Sequence, residues 1–307
     1  MKINGIINNL CLKSAKVARS KSITVGSNSL LGPYHYPSTP ENTLYKLDFG
    51  IKLSKKHKIE LKRKEDIPNL KKADVAIFMA HPDDEICFFS FIPNLINQNK
   101  KVQLVYSTSG ERGRDVRGIF ERFAPEIKDL RENELRTSLE NLEVNINPLI
   151  LGLPDSFTHL EDNIKTMKSM VSSIIEKICP NEIYTFGPEG VTNHTDHKAI
   201  GGVAFAVVKD INSSKTKEGK IKLYQVGFLE KSKKKIIKFT KKSTKAFTFV
   251  QAVNSAKPSF KFNISKSIPN IIKAFNSHKT QFTPETVEAL KHYFKTNKYI
   301  DIFEANV

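Results

Sequence analysis

From residue 73 onward, short apolar runs alternate with longer stretches in which apolar residues recur every three to four positions. "ADVAIFMA" (73–80) reads as a strand buried on both faces. Behind it, Ile86, Phe89, Ile92 and Ile96 stand near helical spacing, with Pro93 inside the run as a point of kinking or shortening. "KVQLVYST" (101–108) predicts the next strand, and the polar loop "SGERGRDVRG" follows it. Leu130, Leu135, Leu139 and Leu142 predict a long helix over about 126–143. "PLILGLP" (148–154), a helix across 160–178, "EIYTFGP" (182–188) and a helix from about 194 to 209 continue the alternation.

Repeated βα units predict an α/β fold, a Rossmann-like and mostly parallel sheet with helices on both faces. A smaller β/helical C-terminal part follows: "IKLYQVGFL" and "AFTFVQAV" read as strands, and a helix begins near 267. Ahead of the alternation, residues 1 to about 45 carry turn formers ("GSNSLLGPYHYPSTPEN") and no period. "LYKLDFGIKLS" and "KKHKIELKRK" alternate as strands do, in the manner of an edge hairpin. The 307 residues therefore divide into an N-terminal extension, 1–70, partly irregular with edge strands, and a main domain, 71–307.

Composition narrows this picture. With 39% hydrophobic and 26% charged residues the chain has an ordinary globular balance, and no apolar run approaches the roughly 20 residues of a spanning helix. "MKINGIINNLCLKSAKVARSKS" lacks a continuous apolar core, so no secretory leader and no transmembrane segment are expected. Cys11, Cys87 and Cys179 are odd in number and form no CxxC pair, which speaks against a disulfide framework or a cysteine zinc site. A cytoplasmic location follows as the expectation. The net charge of +17 is concentrated in two Lys-rich runs, 52–64 and 231–245. Solvated surface is the first reading of these runs, and attraction to an anionic substrate or surface the second. They are not interleaved with aromatic residues, so no specific nucleic acid is expected. Oligomeric state is not legible in such patterns.

Ligands of open α/β sheets bind at the carboxyl ends of the strands. "HPDDE" (81–85), "STSGERGR" (107–114), "PDS" (154–156) and "GPEGVTNHTDH" (187–197) follow the four predicted strands in turn. Four ionisable groups in "HPDDE" are costly beside a buried strand unless something cationic holds them. His81 and Asp84 are three positions apart in a turn, and His194 and His197 repeat that spacing at a helix start. One carboxylate with one or two histidines suits Zn²⁺, and Fe²⁺ fits the same set; three protein ligands leave a position open for water. Each fragment alone has a plainer reading, as Asp helix caps or as two surface histidines. Together, both at strand ends, they predict a catalytic metal centre.

"AHPDDE" and "GVTNHTDH" resemble the two signature motifs of the PIG-L / LmbE-like family of zinc-dependent N-acetylglucosaminyl deacetylases. "TSGERG" resembles the family's second-strand loop, and "LRENELRTSLENL" its helix with an Arg-x-x-Glu pattern, here Arg131 and Glu134. "KAFNSHKTQ" (273–281) resembles its late Lys-x-x-x-x-His-x-Ser-Gln segment, with Thr280 in place of Ser. The likeness runs from about 73 to 305. It implies a metal-dependent hydrolase that removes the N-acetyl group from an N-acetylglucosaminyl substrate, a small molecule or a glycan. His81, Asp84 and His197 would be the zinc ligands, with Asp83 the general base acting on zinc-bound water. His194, protonated, would stabilise the oxyanion, Arg131 would contact the sugar, and His278 would line the cleft or lie just behind it.

From position alone, Asp155 is a candidate for a sugar hydroxyl, and Glu85 for holding a ligand or opening the helix. Glu111, Arg112, Arg114 and Arg117 lie on a loop at the cleft edge, where they read either an anionic substituent or only solvent. Cys87 is expected to pack as a small hydrophobe. The rivals are a related amidase acting on a different acyl group and a basic glycan- or lipid-headgroup-binding protein with a vestigial metal site. The intact set of His81, Asp83, Asp84, His194 and His197 argues against the latter, because binding needs no base. The aglycone is not written in the motifs.

Overall fold

The computed structural model describes residues 59–307 apart from 89–90, 122, 245 and 254–257. The irregular stretch 1–45 and the strand expected over 44–54 lie outside the described residues. Eight strands form one sheet: β1 Lys62–Arg63, β2 Val75–Met79, β3 Val102–Tyr106, β4 Leu149–Ile150, β5 Glu182–Phe186, β6 Lys222–Gly227, β7 Phe260–Asn263 and β8 Tyr299–Ala305. Their order is β1-β4-β3-β2-β5-β6-β8-β7. The first six run parallel, and β8 joins β6 antiparallel, as β7 joins β8. This is the α/β, mostly parallel sheet that the alternation predicts. β1 precedes the expected boundary at residue 70, yet it belongs to this sheet and pairs in parallel with β4.

Every residue of β2 is fully buried, the mark of a parallel strand covered on both faces. Five helices belong to the βα alternation: α1 Glu85–Phe88, α2 Ile92–Asn97, α3 Glu126–Asn141, α4 Glu161–Ile178 and α5 Thr195–Asn212. The single helix expected behind "HPDDE" is two. Pro93 sits in the first turn of α2, where its missing N–H breaks no bond, so the chain restarts there instead of kinking. α6 Glu230–Thr240, α7 Ile268–Ser277 and α8 Pro284–Thr296 complete the C-terminal part.

In that part the expected strand "AFTFVQAV" does not form. Ala246–Phe249 is a 3-10 turn, and only Ala252 makes a bridge, to Phe228. Its place is taken by β7, whose Phe260 and Phe262 alternate with Lys261 and Asn263. Their rings pack on Tyr224 and Phe91 with centroids 5.2 Å apart in each case.

The strand order determines where a site can be. From β2 the chain moves outward through β3 to β4, then returns to lay β5 on the other side of β2. The crevice at such a reversal lies between the loops that follow β2 and β5. α5 closes on it tightly, since a Cβ on Gly201 would stand 2.4 Å from the Phe186 carbonyl oxygen. Only glycine allows that approach, and it brings His197, one turn earlier, to the end of β5.

Candidate metal centre and active site

At the end of β2 the backbone turns through "HPDD", and Asp84 folds back on its own loop. Its Oδ2 accepts from the backbone N–H of Ala80 (2.9 Å) and His81 (2.7 Å), which leaves Oδ1 facing the crevice. Across the crevice, the Nδ1 of His197 lies 2.9 Å from the Gly190 carbonyl, a bond that makes it the donor. The unprotonated lone pair then belongs to Nε2, which lies 3.0 Å from Asp84 Oδ1. His81 is held from behind by two carboxylates, with Nε2 3.2 Å from Asp155 and 3.1 Å from Asp196. Its Nδ1 is turned to Asp84, 3.6 Å away.

Three buried donors thus converge, each oriented by an outer partner. Two lone pairs 3.0 Å apart repel unless a proton or a cation lies between them, and imidazoles backed by carbonyl or carboxylate are how metal ligands are held. Among the described residues His81 heads three clusters able to hold an ion, with His194 and His197, with Asp155 and Asp196, and with Asp83 and Asp84. The donor set fits a divalent metal. Burial alone would lower the His81 pKa, but its bonds to Asp155, Asp196 and Asp84 outweigh burial and hold it well above the usual value. Burial would raise that of Asp84, yet His197 and His81 hold it well below the carboxylate range.

Asp83, between His81 and Asp84, points elsewhere. Its φ is 124°, an uncommon conformation for a side-chain-bearing residue, held by its N–H on Glu85 Oε2 (3.0 Å) and its carboxylate on Arg131 (3.1 Å). Burial pushes its carboxyl up to about 6, opposed by Arg131 and reinforced by Asp84. Backbone strain recurs across the crevice, where Val191 and Asn193 also have positive φ, at 56° and 62°. A β-branched residue in that region is a true outlier.

His194 caps α5, its Nδ1 accepting from the Asp196 N–H at 3.2 Å. That bond leaves Nε2 as the protonated nitrogen. Burial is the largest cause that pushes its pKa down to about 4. The ring is therefore neutral at neutral pH, not protonated as the sequence reading has it, and it offers one N–H. Its centroid is 4.7 Å from that of His81, edge to face.

The other expected substrate contacts stand further back. Arg131 is 3% exposed, and its guanidinium donates to the carbonyls of Gly110 (3.0 Å) and Pro82 (2.6 Å) as well as meeting Asp83. This geometry makes it a clamp between two loops rather than a sugar contact. Asp155 is 3% exposed; it meets His81 and accepts from the Arg112 N–H at 2.9 Å, so its oxygens serve the histidine and the loop rather than a sugar hydroxyl. His278 is fully buried with Nε2 on Glu85, and Glu85 also accepts from Ser138 (2.8 Å) and Tyr106 (3.3 Å). His278 stands behind the HPDD turn, not in an open cleft. Glu134 binds Thr280 through its N–H (2.7 Å) and hydroxyl (2.6 Å), which ties the late segment to α3. Cys87 is half-buried, and burial pushes its thiol well up.

Sequence reasoning missed Asp196. It is fully buried and accepts from Ser156 N–H (2.7 Å), Thr158 N–H (3.2 Å) and Thr158 hydroxyl (2.6 Å) while facing His81. As the lone carboxylate of "NHTDH" it was available to be found. Asp196→Asn keeps the oxygen that Thr158 needs but removes the charge behind His81. The expected result is about 10–100-fold weaker metal binding, read by competition with a chromophoric chelator.

Residues 76–208 match the sequence model of the PIG-L family, described as GlcNAc-PI de-N-acetylase. A 1D-myo-inositol 2-acetamido-2-deoxy-alpha-D-glucopyranoside deacetylase of Corynebacterium urealyticum is 26% identical over 141 residues, 38% of this chain and 42% of that protein. The N-acetylglucosaminyl-phosphatidylinositol de-N-acetylase of Saccharomyces cerevisiae is 27% identical over 150 residues, 47% of this chain and 46% of that protein. The chain thus spans under half the length of these curated relatives. Among solved structures, the N,N'-diacetylchitobiose deacetylase of Pyrococcus horikoshii superposes with a TM-score of 0.54 at 16% identity, over 76% of this chain and 84% of that one, which establishes a shared fold. The matched segment holds β2 to β5, the HPDD turn and both histidines of the second motif. Residues 76–208, under half of the chain, are thus similar to the PIG-L family.

Proposed function

We propose that residues 71–307 form a metal-dependent N-deacetylase that releases acetate from an N-acetylglucosaminyl compound, with His81, Asp84 and His197 holding Zn²⁺. The observation that carries this reading is the division of labour in the crevice: three donors with backed lone pairs beside a carboxylate and an imidazole bound to no common partner. Curated relatives named as deacetylases of N-acetylglucosaminyl compounds support it. When bound, the cation would lower the pKa of a water molecule towards 7 and polarise the acetamide carbonyl. Asp83 accepts the proton of the attacking water and returns it to the leaving amine. The neutral His194 donates its Nε2–H to the developing oxyanion, a stabilisation of about 3 kcal/mol for one well-placed donor. Arg131 and Glu85 hold the base loop in the strained turn that aims Asp83.

A second reading has its own support. A pocket of about 80 Å³, walled by Ile86, Cys87, Val191, Thr192 and Phe228 among others, borders both motif loops and is mostly apolar, with Ser232 and Asp301 also in its wall. It favours an amidase that takes an acyl chain longer than acetyl.

Metal analysis of the purified chain, with acid release from N-acetyl-, N-butanoyl- and N-octanoylglucosaminides, tests both. About one zinc per chain and acetate release suppressed by a chelator and restored by Zn²⁺ are expected. Preference for the longer acyl groups would replace the deacetylase by the amidase. A chain that takes up no divalent metal would overturn both.

A further inference from the structure

Among the described residues seven large apolar side chains stand exposed, and five of them lie on two loops. Val116 (39%), Ile119 (65%) and Phe123 (50%) belong to the loop after β3; Phe157 (38%) and Leu160 (49%) belong to the loop after β4. Both loops leave the carboxyl edge of the parallel sheet, the edge that carries the HPDD turn. Arg112 joins them, its guanidinium 4.6 Å from the Phe123 ring centroid and 4.5 Å from that of Phe157. The loops are also tied to the crevice. The Arg112 N–H donates to Asp155, Asp155 N–H donates to Glu111 (2.8 Å), and Asp155 meets His81. Val116 N–H donates to the Thr280 carbonyl at 2.9 Å, which fixes the far side of the first loop. The tips are thus presented by an anchored base.

Apolar side chains gathered in this way mark a surface that meets something less polar than water. We infer that these two loops dock the mouth of the crevice onto an anionic lipid bilayer. Charge selects the bilayer over a second copy of the chain. Two copies at +17 each repel, whereas an anionic surface attracts that charge. On the first loop Asp115 is 2% exposed and paired with Arg117, and Arg112 and Arg114 stand with Glu111 and Glu121, so the attraction comes from the charge of the whole chain and not from the loop tips. The form fits too: single aromatic and aliphatic tips beside arginines suit the boundary between headgroups and acyl chains. The surface stands on the loops alone. That it delivers a lipid-linked amino sugar to the crevice rests on the deacetylase reading above.

The chain contains no tryptophan, so one introduced residue reports alone. Ile119→Trp places it at a loop tip, and Lys72→Trp places it on an exposed position just ahead of β2, at the opposite edge. With vesicles of phosphatidylcholine containing phosphatidylserine, the emission of Ile119→Trp should shift to the blue and that of Lys72→Trp should not. Ile119→Asp/Leu160→Asp should weaken vesicle flotation about tenfold, with the thermal midpoint checked in parallel. If this double variant fails to fold, the two tryptophan reporters decide by themselves. An unshifted Ile119→Trp, or equal shifts at both positions, would overturn the proposal. So would a double variant that binds as tightly as the original chain, since the Lys runs would then be the binder. A blue shift that grows with protein concentration without vesicles would put a second copy in the bilayer's place. None of these readings needs turnover, so they stand or fall apart from the deacetylase assignment.

Discussion

Asp83→Asn should lower kcat by about a thousandfold while the protein keeps its metal and its fold. Asparagine is nearly isosteric and still offers an oxygen to Arg131, so the 3.1 Å contact and the loop it holds survive. What is lost, under the proposed function, is the ability to take a proton from water and return it to the amine. Asp84, His81 and His197 are untouched, and their outer partners (Ala80, Gly190, Asp155 and Asp196) do not involve Asp83. Metal content by elemental analysis should therefore match the original chain, with KM little changed. Burial suits Asp83 to the task, since it lifts the carboxyl to about 6, where a base is strong enough to accept a proton yet still ionised at neutral pH. A variant that kept most of its turnover would move the base elsewhere. A variant that lost metal and turnover together would make Asp83 a ligand.

Much of this centre is legible from the chain because strands and ligands are local. β2, β3 and β5 lie inside the predicted runs 73–80, 101–108 and 182–188, and α3 and α4 within two residues of the predicted helices. A residue that follows a buried parallel strand lands at the carboxyl edge whatever the rest does, so His81, Asp84, His194 and His197 could be placed together. Long-range partners could not. Arg131 is twenty-one residues from Gly110 and forty-nine from Pro82, and nothing in "LRENELR" says that its guanidinium turns towards loops instead of substrate. Asp155 is turned to His81 for the same reason, since position after a strand does not show which way a side chain faces, whereas His278 lies behind the HPDD turn, one of its two expected places. The C-terminal part was the hardest to read. "AFTFVQAV" has strand composition, but the place beside β6 goes to β8, which returns antiparallel, and only Ala252 makes a bridge, to Phe228.

Arg131→Ala should cost about 3 kcal/mol in stability, a large fraction of what holds a domain of this kind, and lower turnover as well. The guanidinium sits in a slot made by two glycines. A Cβ on Gly110 or Gly113 would come within 2.4 or 2.6 Å of its Nη1. Truncation empties that slot and leaves the Pro82 and Gly110 carbonyls without their donor, together with a carboxylate whose only cationic neighbour within ion-pair distance, among the described residues, is gone. The turn at Asp83 is strained, and Arg131 is one of the two groups that hold it there. Turnover should fall because the base is no longer aimed, even with metal bound. Arg131→Lys separates charge from shape: an ammonium restores the attraction to Asp83 but cannot donate in the plane to two carbonyls at once, so it should recover less than half of the lost stability. Urea unfolding midpoints and kcat for the three proteins decide the matter. An Arg131→Ala chain as stable as the original, with a raised KM and unchanged kcat, would return Arg131 to the sugar contact that the family resemblance implies, and the clamp would be wrong.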